Sequence, residues 1–258
     1  MEVHHHSHTA DPDSHRGRKK WTHYFWEFLM LFLAVFCGFL AEYQLEHQIE
    51  KERAKQYIVS LYEDLKSDTT RINRLLEYDD KKIEALSNMY TCYDTVMKNL
   101  ESTACMGVLV IHSRSNKGFV LTDRTLKQLA NAGGYRLLNK EDADSIIVYE
   151  NLYKGYIDFQ TTVFQGAQDN VRNTLNQIAD FKVMAPHQLT TATMANDTTS
   201  SLLSGPLLFI EDKVLLNKWF NELSIYLRTT NGQRNSILQL KNKAVSLIQY
   251  YKSKHHFE

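Results

Sequence analysis

Four histidines crowd the first eight residues, His4, His5, His6 and His8, with His15 and several carboxylates close behind. Imidazoles clustered on one segment can share a borderline divalent cation, so these are the candidate metal ligands. Their spacing matches no ordered zinc motif. A flexible segment must also lose conformational entropy to coordinate, which favours a plain polar tail. Glu27 stands inside an apolar run, where a carboxylate is costly unless it is paired or protonated. Ion coupling is the chemical use of such a residue, and reaching toward headgroups is the ordinary one. Cys92 and Cys105 suit either a disulfide in an oxidising compartment or two buried thiols. Tyr149, Tyr153 and Tyr156 share a helical face, fit for an aromatic pocket or for half-buried packing with wet hydroxyls. No HExxH, CxxC pair, Walker loop or serine elbow occurs, so neither a catalytic residue nor a cofactor is expected.

The elements that hold these residues follow from composition and periodicity. Thirty Lys plus Arg balance thirty Asp plus Glu over 258 residues, which lacks the basic excess a nucleic-acid surface needs. Ten Gly and three Pro are too few for an all-β chain or for Gly-rich phosphate loops. The chain is therefore expected to be all-α.

An overall mean hydropathy of −0.41 conceals one window, residues 28–41, with no charged side chain. Extended to Tyr24 and Leu45 it reaches roughly 22 residues and about 33 Å as a helix, the thickness of a hydrocarbon core. Trp21, Tyr24 and Trp26 on one side and Tyr43 on the other suit the two headgroup levels. Arg16, Arg18, Lys19 and Lys20 precede the run, while Glu42, Glu46, Glu50 and Glu52 accompany the first cations after it. Positive charge stays on the cytoplasmic side, so the expected layout is a cytoplasmic tail at 1–20, a membrane helix at 21–45 and an extracytoplasmic bundle at 46–258. A cleaved signal peptide fits less well, since no small-residue cleavage site follows the run. Ala34 and Gly38, with Ala41 a turn on, form a notch that suits helix packing in the bilayer.

Beyond the span, Ile58, Leu61, Leu65, Ile72, Leu75, Leu76, Ile83, Leu86, Tyr90, Tyr93, Met97 and Leu100 mark a helical stripe, wider than a two-stranded seam. Read as heptads from Ile58, its d positions include Asp68 and Lys82. The polar stretch 77–82 is the expected bend or helix break. Residues 101–121 read as a connector in which 108–111 is a strand or a buried loop. Thr122 is expected to cap a short helix that Gly133 and Gly134 end. Asn139, with Asp142 three residues on, starts a long helix bearing Ile146, Tyr149, Tyr156, Val163, Val171 and Ile178. Residues 183–211 read as an exposed loop, after which Asp212 opens a last long helix. Three long helices and a short one make an elongated antiparallel bundle that continues the membrane helix.

The segments MEVHHHSH, HYFWEFLMLFLAVFCGFLAEYQLEHQIEKERAKQYIVSLYEDLKSD and TDRTLKQLANAGGYRLLNKEDADSIIVYENLY resemble a family of uncharacterised single-span membrane proteins of Bacteroidota. The resemblance implies a native His-rich terminus, a Gram-negative inner-membrane location and a helical periplasmic part, and it brings no catalytic residue. In such envelopes O-glycans attach where Asp is followed by Ser or Thr and then by an apolar residue or Thr. Four occur, at Asp68, Asp94, Asp144 and Asp197, and only Thr198 of the last falls in an expected loop. The expected function is a structural or protein-interaction module, partnered by the bilayer and by its own copies or another envelope protein. Two alternatives stand beside it, a ligand-sensing subunit and an ion-coupled subunit using Glu27.

Overall fold

A computed structural model of the chain describes residues 16–180, 182–183 and 207–255. The described residues contain no strand, and the fold is all-α. Among the described residues the principal α-helices are, in order, α1 Arg16–Ser87, α2 Met89–Lys98, α3 Met106–Arg114, α4 Arg124–Asn131, α5 Lys140–Phe159, α6 Gln165–Ile178 and α7 Lys213–His255. A π-helical turn, Gln160–Phe164, joins α5 to α6, and a 3₁₀ turn, Gly134–Leu137, precedes α5. The chain divides into two compact units, residues 1–55 and 56–258.

In the first unit, the apolar stretch 28–41 lies within α1 and its side chains are exposed, Phe28 at 66% and Phe39 at 67%. This helix is long and apolar enough to cross a membrane.

In the second unit every heptad a and d position of α1 from Ile58 to Leu86 is buried, including Asp68, Asp79 and Lys82. The polar stretch 77–82, expected as a bend or a helix break, makes no break. The helix runs through it because Asp79 and Lys82 face the interior, and the break comes later, at Asn88 between α1 and α2. Residues 108–111, expected as a strand or buried loop, belong instead to α3, whose Leu109 and Val110 are core residues.

Contacts fix the helix directions. Asp68 meets Tyr149 and Lys82 meets Phe164, so α1 and α5–α6 run parallel. Asp142 meets Lys254, Gln233 meets Tyr156 and Gln168 meets Tyr226, so α7 runs antiparallel to them. Two parallel long helices are possible because the connector travels back along α1. Ser115 touches Tyr78, Thr122 touches Asp68, Thr125 touches Asp64, and Gly134 lies beside Tyr57.

Local signals act much as their chemistry dictates. Asn139 Oδ1 accepts the Asp142 N–H at 2.8 Å, and Asp212 Oδ1 accepts those of Val214 and Leu215. Gly133 takes φ +63° where α4 ends. Thr122 differs from expectation. Its hydroxyl is held by Asp68, and α4 starts at Arg124 without a side-chain cap. Of the expected loop 183–211, the stretch 184–206 lies outside the described residues. The backbone on either side is clamped by an antiparallel bridge, with Asp180 N donating to Leu207 O at 2.7 Å and Phe209 N to Ile178 O at 2.9 Å.

Candidate functional site

The second unit has two apolar cores. One is built from Ile58 to Leu76 of α1 with Ile146 to Tyr156 and Ile237 to Tyr251. The other joins Leu86 and α2–α3 to Phe164–Ile178 and to Leu216–Tyr226. Between them α1 and α7 turn polar, with Asp79 and Lys82 on the one and Thr229, Thr230 and Gln233 on the other all buried, and buried Gln168 of α6 reaches Tyr226 from within the second core. We refer to this layer as the waist.

Lys82 is its centre, with none of its surface exposed. Its Nζ donates to the Ser115 carbonyl at 2.8 Å and to the Tyr226 hydroxyl oxygen. The rings of Tyr226, Phe164 and Tyr78 lie 4.7, 5.2 and 5.9 Å from the ammonium, supplying cation–π attraction away from the protein surface. Gln168 Nε2 donates to the same Tyr226 oxygen and to Ser113 O, each at 3.1 Å. Tyr78 donates to Ser115 Oγ at 2.9 Å, so connector, α1, α6 and α7 are tied in one network.

Asp79 is the other charge, 1% exposed, and its Oδ2 accepts no hydrogen bond. Gln233 Oε1 is likewise buried and unpartnered, although Gln233 Nε2 donates to Tyr156 OH at 3.4 Å. Burial without partners disfavours the carboxylate, and the Asp79 pKa is pushed up to about 7, with Lys82 nearby only partly offsetting this. Burial lowers the Lys82 pKa to about 7, with Asp79 opposing. Burial raises the pKa values of Tyr78, Tyr156 and Tyr226. Chemically, the arrangement can take up and release a proton near neutrality. The Lys82 amine has no exposed surface through which a carbonyl substrate could reach it.

No family model, curated protein or solved structure matches the chain.

The residues singled out by sequence fall elsewhere. His4, His5, His6, His8 and Thr198 lie outside the described residues, and no cluster of three metal-ligating side chains occurs among those described. Glu27 Oε1 lies 3.7 Å from His23 Nε2, one turn earlier on an exposed face. At about 100° per residue, Ala34, Gly38 and Ala41 span roughly 60° of the helix, opposite Phe28, Phe32 and Phe36, whose rings stack along it at 6.3 and 6.0 Å. A Cβ on Gly38 would meet nothing within 4 Å. Cys92 and Cys105 are joined as a disulfide across the α2–α3 corner, their Cα atoms 5.6 Å apart. Tyr149 and Tyr156 pack in the first core, and Tyr153 stacks edge-on to Phe119, so the three tyrosines serve packing and hold the connector. The waist is a site that sequence reasoning misses. Its only signal is the pair of charged residues on the heptad seam, Asp79 at a and Lys82 at d.

Proposed function

We propose that this chain is a single-pass protein of a Gram-negative inner membrane whose bundle stands in the periplasm as a structural or protein-interaction module without enzymatic activity. The observation that carries this reading is the contrast within α1: apolar side chains at 28–41 are almost all exposed, whereas the stripe Ile58, Leu61, Leu65, Ile72, Leu75 and Leu86 is buried. A surface of that kind is stable in hydrocarbon and not in water. The cations at 16–20 favour a cytoplasmic N-terminus. The Cys92–Cys105 disulfide supports an oxidising compartment for the bundle. Membership of the Bacteroidota family it resembles belongs to the same proposal. The partner is a second copy, docked through the Ala34, Gly38 and Ala41 face, or another envelope protein.

Ligand sensing is the second reading, favoured by the buried polar waist between two cores, since bundle interiors are where such proteins place ligands.

Single cysteines at Arg18 and at exposed Val120, in a Cys37→Ser background, test the layout. An impermeant maleimide is expected to label only the Val120 site in intact spheroplasts. Labelling at Arg18 instead would reverse the orientation, and extraction of the protein by carbonate would remove the membrane span. Crosslinking in intact membranes tests the interaction role, which recovery of monomer alone with no recurrent neighbour would contradict.

A further inference from the structure

The waist collects features that packing alone does not require. A carboxylate oxygen with no hydrogen bond is buried three residues from a fully buried ammonium, and the two charges make no direct hydrogen bond. They sit at the boundary between the two apolar cores. A π-helical turn, unique among the described residues, lies alongside, its Phe164 ring against Lys82. Such turns carry weaker backbone bonding and recur at functional sites. α7 has a soft stretch at the same level, where the Thr229 and Thr230 hydroxyls both donate to the Tyr226 carbonyl.

From this geometry we infer that the waist is a proton-operated joint, in which Asp79 and Lys82 loosen the contact between the two cores when both are charged and tighten it when either becomes neutral.

Asp79 faces Lys82, Asp80 and Arg234, and Tyr156 from α5. Arg234 is itself engaged by Asp80 at the surface. Lys82 faces Asp79, Arg172 from α6, and the rings of Tyr78, Phe164 and Tyr226. Arg172 donates to the Arg114 carbonyl. Tyr78, Tyr156 and Tyr226 remain neutral across the range because burial raises them. Only Asp79 and Lys82 are left to change charge in the waist.

The two groups act on stability with opposite sign. Asp79 has a folded pKa above its ordinary 3.8, so between about pH 4 and 7 the folded chain holds a proton that the unfolded chain has lost, and stability falls as pH rises. Lys82 has a folded pKa below its ordinary 10.5, so between about pH 7 and 10 the unfolded chain holds the extra proton, and stability rises with pH. The two limbs meet in a minimum near pH 7.

Hydrogen exchange on the full chain in detergent micelles tests this, corrected for intrinsic rates, with peptides covering 156–168 and 226–236. Waist protection, relative to peptides in the two cores, is expected to be lowest near pH 7 and about tenfold higher at pH 5.5 and 8.5, as one unit of proton linkage implies. Asp79→Asn should erase the acid limb and Lys82→Met the alkaline limb. An imidazole ordinarily titrates in the same range, so the variants make the assignment. A wild-type profile without a minimum overturns the inference by itself, even where a variant fails to fold. A minimum that survives in both variants overturns it equally.

Discussion

Asp68 occupies a d position where the stripe calls for leucine, yet its buried carboxylate is fully used. It accepts from the Thr122 N–H at 3.1 Å, the Thr122 hydroxyl at 2.7 Å and the Tyr149 hydroxyl at 3.1 Å, and it pairs with Arg71. This is the opposite of Asp79, whose Oδ2 has no partner. Asp68→Ala leaves several buried donors unmatched and is expected to destabilise by about 3–5 kcal/mol, checked by urea denaturation in micelles. Asp64, a turn earlier, is used in the same way, accepting from Arg124 Nε at 2.8 Å and from the Thr125 hydroxyl. These residues show where sequence reasoning stops. That Asp68 and Lys82 interrupt an apolar seam is visible in the heptads, but their partners stand 54 and 144 residues away. Without the partners, a polar stretch on a helix reads as surface or as a bend, because burying a charge alone is prohibitive.

At the scale of elements, short-range signals are the legible ones. Asn139, Asp212 and Gly133 each act within a few residues, so their chemistry is complete in the local sequence. Residues 108–111 are ambiguous by sequence because a four-residue apolar run has no readable period, and packing decides for a helix. The π-helical turn leaves no trace in the sequence either. It brings Phe159 against α7, where a Cβ on Gly232 would lie 2.7 Å from the ring. Gly232→Ala is therefore expected to lower stability by about 1–3 kcal/mol despite the better helix propensity of alanine. Gly155→Ala and Gly166→Ala meet nothing within 4 Å and should each raise it by about 0.5–1 kcal/mol. Thermal melts of the three variants side by side separate close packing from propensity. The α2–α3 corner depends on its cross-link instead. Closing a loop over 13 residues is worth about 3 kcal/mol, so Cys92→Ser with Cys105→Ser should lose that much, and dithiothreitol should lower the wild-type urea midpoint while leaving the variant's unchanged.

For the second unit as a whole, the periodicity announces a helical bundle but not how its long helices pair. Alternating directions are the simplest rule for successive helices. Here residues 115–123, outside any helix, reverse course, held by Tyr78, Tyr156 and Asp68, and this lets α5 run parallel to α1. The two cores and the waist follow from the same arrangement, since each draws on α1, α5–α6 and α7 together. That shared construction governs the order of events during synthesis. α7 supplies Trp219, Leu223 and Tyr226 to one core and Ile237, Leu240 and Leu247 to the other, and it is made after the helices it packs against. A nascent chain ending anywhere before Lys213 exposes the seam of α1 and leaves Lys82 without its Tyr226 partner. Neither core can close before α7 has been synthesised, so the helices before it in the second unit must wait, unsealed, for a segment encoded well downstream of them.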